Sequence, residues 1–114
     1  MAYYILPGVL STGFLDQTSF VTETGTADQL FDEANHSNGL LAGVKGLLVI
    51  PQSGNANSIF VGASNVTAAG AEIGMELIGS NNDVLGIPVS GTGADQVYAI
   101  STVGTDNITT MQVG

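Results

Sequence analysis

The chain has 114 residues, is 44% hydrophobic, and carries ten carboxylates against a single lysine, Lys45, for a formal net charge of −9. Nucleic-acid binding and adhesion to anionic membranes both rest on Lys and Arg facing phosphate, so this composition excludes them. There is no cysteine, which excludes a disulfide frame, a thiolate metal site and a cysteine nucleophile.

The length suits one domain, in which folding hides about two thirds of the unfolded chain's surface. No basic segment followed by a long apolar run marks a signal peptide. The longest apolar stretch, residues 40–50, is interrupted by Gly43, Lys45 and Gly46, and it falls short of the roughly 20 residues that cross a bilayer. A soluble protein is expected.

Residues 1–25 alternate short apolar pieces (Tyr3-Tyr4-Ile5-Leu6, Val9-Leu10, Phe14-Leu15, Phe20-Val21) with Pro7, Gly8, Gly13 and runs of Ser and Thr. No piece holds a face alone. The segment either adds edge strands to the chain's own core or extends as an arm whose apolar residues, Tyr3, Tyr4, Ile5 and Phe14, dock on a neighbour. Residues 26–38 are the one place where a helix fits. Thr26 and Gln29 have capping-box spacing, Leu30, Phe31 and Ala34 make a narrow apolar stripe, and Asn38-Gly39 is a stop signal. An irregular polar loop is the alternative. Residues 1–39 thus read as an N-terminal extension, and 40–114 as a β core.

The centre of that core is the stretch 44–66. The run Gly46-Leu47-Leu48-Val49-Ile50 stops at Pro51, and Ile59-Phe60-Val61 follows a turn-rich loop of about six residues. Short apolar runs bounded by Gly, Pro, Asn and Ser are the signature of buried strands, and these two are expected side by side in one sheet. In residues 71–78, Ile73, Met75 and Leu77 alternate with Glu72, Gly74 and Glu76, predicting a half-buried strand. Residues 79–83 form a turn. Leu85, Ile87 and Val89 then share a face of a strand that Pro88 marks as an edge or a bulge. A turn over 91–95 precedes a predicted hairpin, 96–103 with 107–113, around Gly104 and Thr105. Strands recurring every 9 to 14 residues or so predict an all-β fold, a small antiparallel sandwich or barrel of jelly-roll type with at most one short helix.

Nothing in the sequence supports an enzyme. Glu72 and Glu76, four residues apart on a strand, would be roughly 13 Å apart, whereas paired catalytic carboxylates sit about 5 to 9.5 Å apart. His36 is the only histidine and lies in the polar patch Asn35-His36-Ser37-Asn38, without a nucleophile motif. A lone histidine without cysteine gives no zinc site. Asn81-Asn82-Asp83 and Asp106-Asn107 hold oxygens suited to calcium, yet they lack the spacing of a calcium loop and read as turn chemistry. No phosphate-cradling glycine motif exists, and three Asn-x-Ser/Thr matches read as chance. No cofactor is expected.

The run Asn57-Ser58-Ile59-Phe60-Val61-Gly62-Ala63-Ser64-Asn65-Val66, with Pro88-Val89 and Val97-Tyr98-Ala99-Ile100 after it, resembles small β-domain structural proteins of tailed-phage virions. The resemblance covers roughly residues 44–114, and the chain departs from a common form of the pattern at Gly74-Met75-Glu76-Leu77. It implies a capsid decoration (cement) protein that bridges capsomers on the outer surface of the head. Its partners would be the major capsid protein and its own copies as a homotrimer, with neither nucleic acid nor membrane. The alternative is a carbohydrate- or receptor-binding module of a head fibre or tail adhesin. Such sites lay Trp or Tyr against sugar rings, and this chain has no Trp and only Tyr3, Tyr4 and Tyr98.

Overall fold

The computed structural model describes residues 3–4, 13–22, 26–89, 96–102 and 106–114, with Tyr3 and Tyr4 described by their backbone. Ile5, the turn over 91–95 and the Gly104-Thr105 turn lie outside the described residues. The strands are β1 (Tyr3–Tyr4), β2 (Phe14–Val21), β3 (Asp28–Gln29), β4 (Gly46–Pro51), β5 (Ile59–Gly62), β6 (Met75–Leu77), β7 (Val84–Pro88), β8 (Tyr98–Ser101) and β9 (Asn107–Val113).

They form two sheets, ordered β1-β7-β4-β9-β2 and β3-β8-β5-β6. All pairings are antiparallel except that of the short β1, which lies parallel on β7. Strands β2 to β9 therefore divide four and four between the sheets in the jelly-roll order. The all-β sandwich expected from the strand spacing is the fold of the chain.

The core lies between the sheets. Leu47 and Val49 of β4, Ile108 of β9, Ile59 and Val61 of β5, Leu77 of β6 and Ala99 of β8 meet there, all buried. Leu85, Ile87 and Val89 pack against them, on the single face that their alternation predicted. Pro88 stands opposite Gly46 on β4, beyond the reach of β1, which pairs only with Val84 and Leu85. Its missing N–H therefore costs no ladder bond.

The four-stranded sheet is also covered on its outer side. Val66, from the loop 63–74, packs on Phe60 and Ile100. Two glycines permit this approach. A Cβ on Gly74 would stand 2.5 Å from Val66 Cγ2 and 2.6 Å from the Val61 carbonyl, and one on Gly62 would stand 3.0 Å from Val66 Cγ2.

Four sequence expectations are corrected. The helix over 26–38 does not form. Asp28 and Gln29 pair with β8, and the Leu30 N–H donates to the Val97 carbonyl at 2.9 Å. Leu30 and Phe31, adjacent residues that one helix face would not both bury, are both in the core, where the chain bends after β3. Asn35 Nδ2 donates to the Gln29 carbonyl at 2.7 Å, taking the acceptor that a helix would offer to residue 33.

The runs at 46–50 and 59–61 are strands, but β4 and β5 lie in opposite sheets. The pair 96–103 and 107–113 likewise crosses between the sheets instead of forming a hairpin. Of consecutive strands, only β5 and β6 pair among the described residues. Residues 71–78 give just the three-residue β6. Leu77 is buried there, while Ile73 and Met75 are exposed, because the loop 63–74 occupies the space that a longer strand would take.

Candidate interaction surface

Register assigns a face to every side chain of the five-stranded sheet. Asp16, Thr18 and Phe20 of β2 stand opposite Gln112, Thr110 and Ile108 of β9, and this set faces inward with Leu47 and Val49. The set on the other face is Phe14, Gln17, Ser19 and Val21 on β2, Asn107, Thr109, Met111 and Val113 on β9, Gly46, Leu48 and Ile50 on β4, and Val84, Gly86 and Pro88 on β7, with Val113 itself buried. None of these residues is charged. In a chain of net charge −9, a whole sheet face without a carboxylate is a local departure from the composition.

That face runs to β2, beyond which no strand lies among the described residues. β2 is the last strand of its sheet, and eight residues long. Phe14 is 69% exposed, Val21 49% and Leu15 42%. Ser19 and Thr109 share a hydroxyl–hydroxyl hydrogen bond of 2.8 Å across the two outermost strands. The only charge on β2, Asp16, faces inward to His36. Alternate N–H and C=O groups of β2 therefore point away from β9, on a side where none of the described strands lies, the arrangement that accepts an added strand. A bulge between Phe14 and Asp16 limits the regular part of the edge to the residues that follow it.

Of the residues singled out in the sequence, Phe14 sits on this edge. Tyr3 and Tyr4 form β1 at the opposite edge of the same sheet, four strand spacings away, or about 19 Å. The fold thus separates the two aromatic pieces instead of gathering them.

Beneath the sheet lies a polar network that the sequence did not disclose. His36 is buried, with Nδ1 2.8 Å from Asp16 Oδ2 and Nε2 2.8 Å from Thr110 Oγ1, and its ring stacks on Phe31 at a centroid distance of 5.2 Å. A carboxylate only accepts, so Nδ1 carries a proton. Beside it, Gln112 Nε2 donates to the Gly39 carbonyl, and Gln112 Oε1 accepts the Leu41 N–H, both at 2.8 Å. The order hydroxyl–imidazole–carboxylate is that of a nucleophile relay. Thr110 is 0% exposed, however, so no substrate reaches its oxygen in this structure, and these bonds instead fasten the 30–41 segment to β9.

The other sequence candidates also find places. Glu72 and Glu76 are exposed, and accept hydrogen bonds from Asn65 Nδ2 at 3.1 Å and Ser58 Oγ at 2.7 Å respectively. Asp83 and Asp106 are buried, each with one carboxylate oxygen unpartnered. Among the described residues no group of three or more His, Asp or Glu side chains is placed to hold a metal, and no helix is long and apolar enough to cross a membrane. Compared with known proteins, the chain matches no described family, no curated protein and no solved structure.

Proposed function

We propose that this chain is a structural protein of a tailed-phage virion, a decoration protein that sits on the outer surface of the capsid as a homotrimer and bridges capsomers. The observation that carries this reading is the uncharged outer face of the five-stranded sheet, continuous with the edge strand β2, in a protein otherwise strongly acidic. Copies of net charge −9 repel one another, so they associate most readily where carboxylates are absent. Apolar contacts from Phe14, Val21 and Leu48 and strand addition at β2 supply the attraction. The jelly roll recurs in viral capsid and lectin domains, which agrees with this assignment by analogy only. The acidity keeps the protein off the packaged genome, so its partners are the major capsid protein and its own copies.

The test is addition of the purified protein to capsids that lack it. Cosedimentation, with greater resistance of the capsids to heat, is expected. Absence of binding with unchanged heat resistance would sink the proposal. Saturable hits on a glycan array in place of capsid binding would move the chain to the adhesin class.

A further inference from the structure

We infer that β2 pairs antiparallel with β2 of a second copy, across a two-fold axis at Ser19, and so joins two five-stranded sheets edge to edge. The ladder fixes which main-chain groups are placed to do this. The Thr22 N–H donates to the Asp106 carbonyl at 2.9 Å, one step beyond the Val21–Asn107 pair. On the other side of β9, the Gln52 N–H donates to the Asn107 carbonyl at 3.1 Å. Hydrogen-bonded and open pairs alternate along an antiparallel ladder, so the even-numbered residues of β9 serve β2 and the odd-numbered ones serve β4. Asp16, Thr18 and Phe20 therefore bond to β9. Gln17, Ser19 and Val21 direct their N–H and C=O groups away from it, to the side where none of the described strands lies.

Those residues are spaced symmetrically about Ser19. With two copies of β2 antiparallel on the axis, Gln17 meets Val21 of the second copy and Ser19 meets its own equivalent, each pair exchanging two N–H···O bonds. Charge singles out a second copy as the occupant. Each copy carries −9, yet Gln17, Ser19 and Val21 are uncharged and exposed. Asp16 faces inward to His36 and would stand opposite Thr22 of the second copy, so the pairing opposes no like charges. A basic strand, the complement of the rest of this acidic chain, finds no carboxylate here. The guards that keep natural edges apart, here a bulge and an inward charge, end at Asp16 and leave Gln17 to Val21 without one. Pairing uses the β2 edge of both copies, so it closes at two instead of growing into a fibre. The inference rests on the reading of β2 as an accepting edge, not on the capsid assignment, and leaves any three-fold contact to other surfaces.

The chain has no cysteine, so a single introduced one reports alone. Directly opposed hydrogen-bonded residues have Cα atoms about 5.5 Å apart, within the roughly 4.4–6.8 Å that a disulfide spans. Gln17 and its equivalent would be out of register by about 13 Å. The experiment treats full-length Ser19→Cys, Gln17→Cys and Val21→Cys with oxidised glutathione in ~1 M NaCl, where charge repulsion reaches only about 3 Å. Covalent dimer is read on a non-reducing gel. Ser19→Cys should cross-link about tenfold faster than Gln17→Cys or Val21→Cys alone, while a mixture of the latter two should approach its rate. Sedimentation of the parent in the same salt should show a monomer–dimer equilibrium. Ser19→Lys should abolish it, since it sets two ammonium groups face to face on the axis at a position that is exposed in the single copy. The inference is overturned by equal cross-linking at the three positions, by a parent that stays monomeric, or by a dimer that survives Ser19→Lys. A segment of the same chain, another edge or a different protein then takes β2. No capsid is present in these assays, so their failure leaves the capsid reading to its own test.

Discussion

Replacing Thr110 by Val isolates the hydrogen bond between the hydroxyl of β9 and His36, because the two side chains have nearly the same shape and no cavity opens. What changes is that His36 Nε2, now 2.8 Å from Thr110 Oγ1, is left unpartnered in a site sealed from water. Stranding one buried polar group costs about 1–3 kcal/mol. For a chain of 114 residues, the usual unfolding entropy per residue converts 1 kcal/mol into a shift in Tm of about 4 °C. Thr110→Val should therefore lower Tm by about 4–12 °C in a calorimetric or circular-dichroism melt, with the urea m-value unchanged. The double variant Thr110→Val/His36→Leu should melt no lower than His36→Leu alone, since the hydroxyl has no partner left to lose. Asp16 retains access to water in that variant, its side chain being about one third exposed at 34%. A melt of Thr110→Val within about 2 °C of the parent would refute the assignment of this bond as a fastening of the 30–41 segment.

Neighbouring leucines test the register of β4. Leu47→Ala removes a fully buried core side chain and should cost about 2–5 kcal/mol, whereas Leu48→Ala, half-buried on the outer face, should cost under about 1.5 kcal/mol in a urea titration. Gly79→Ala would drive a Cβ into the Gln52 carbonyl, a backbone atom that cannot rotate away, so a loss of about 2 kcal/mol or more is expected in the same assay. Self-association measured by light scattering should strengthen as NaCl rises from ~0.01 M to ~1 M, since screening shortens the reach of the carboxylate repulsion from about 30 Å to about 3 Å.

The strands were legible where burial on both sides wrote an uninterrupted apolar run, as at Leu47 to Ile50 and Ile59 to Val61. Which sheet each joins was not legible. Crossing between sheets about 10 Å apart and reversing within one sheet both use a few Gly, Asn and Ser residues, so the loop 52–58 carries no mark that distinguishes them. β9 shows the limit of alternation more sharply. Hydropathy would turn Met111 and Val113 inward, yet Thr110 and Gln112 face the interior, because His36, Gly39 and Leu41 satisfy their polar groups there. Those partners lie 74, 73 and 71 residues away in sequence, beyond any local pattern. The candidate surface was hidden for the same reason. Phe14 and Val21 read as ordinary apolar punctuation, and the absence of charge across four strands emerges only once register sets them side by side.

The account turns on that uncharged face, and Met111→Glu places a carboxylate at its centre, opposite Leu48 on one side and Gln17 on the other. The variant should fold, since residue 111 faces outward, and its circular-dichroism spectrum and Tm serve as the control. In cosedimentation with capsids lacking the protein, the parent should pellet with the shells and Met111→Glu should stay in the supernatant. Equal pelleting of the two, or failure of both to pellet, would contradict the assignment of this face as the surface through which the protein works.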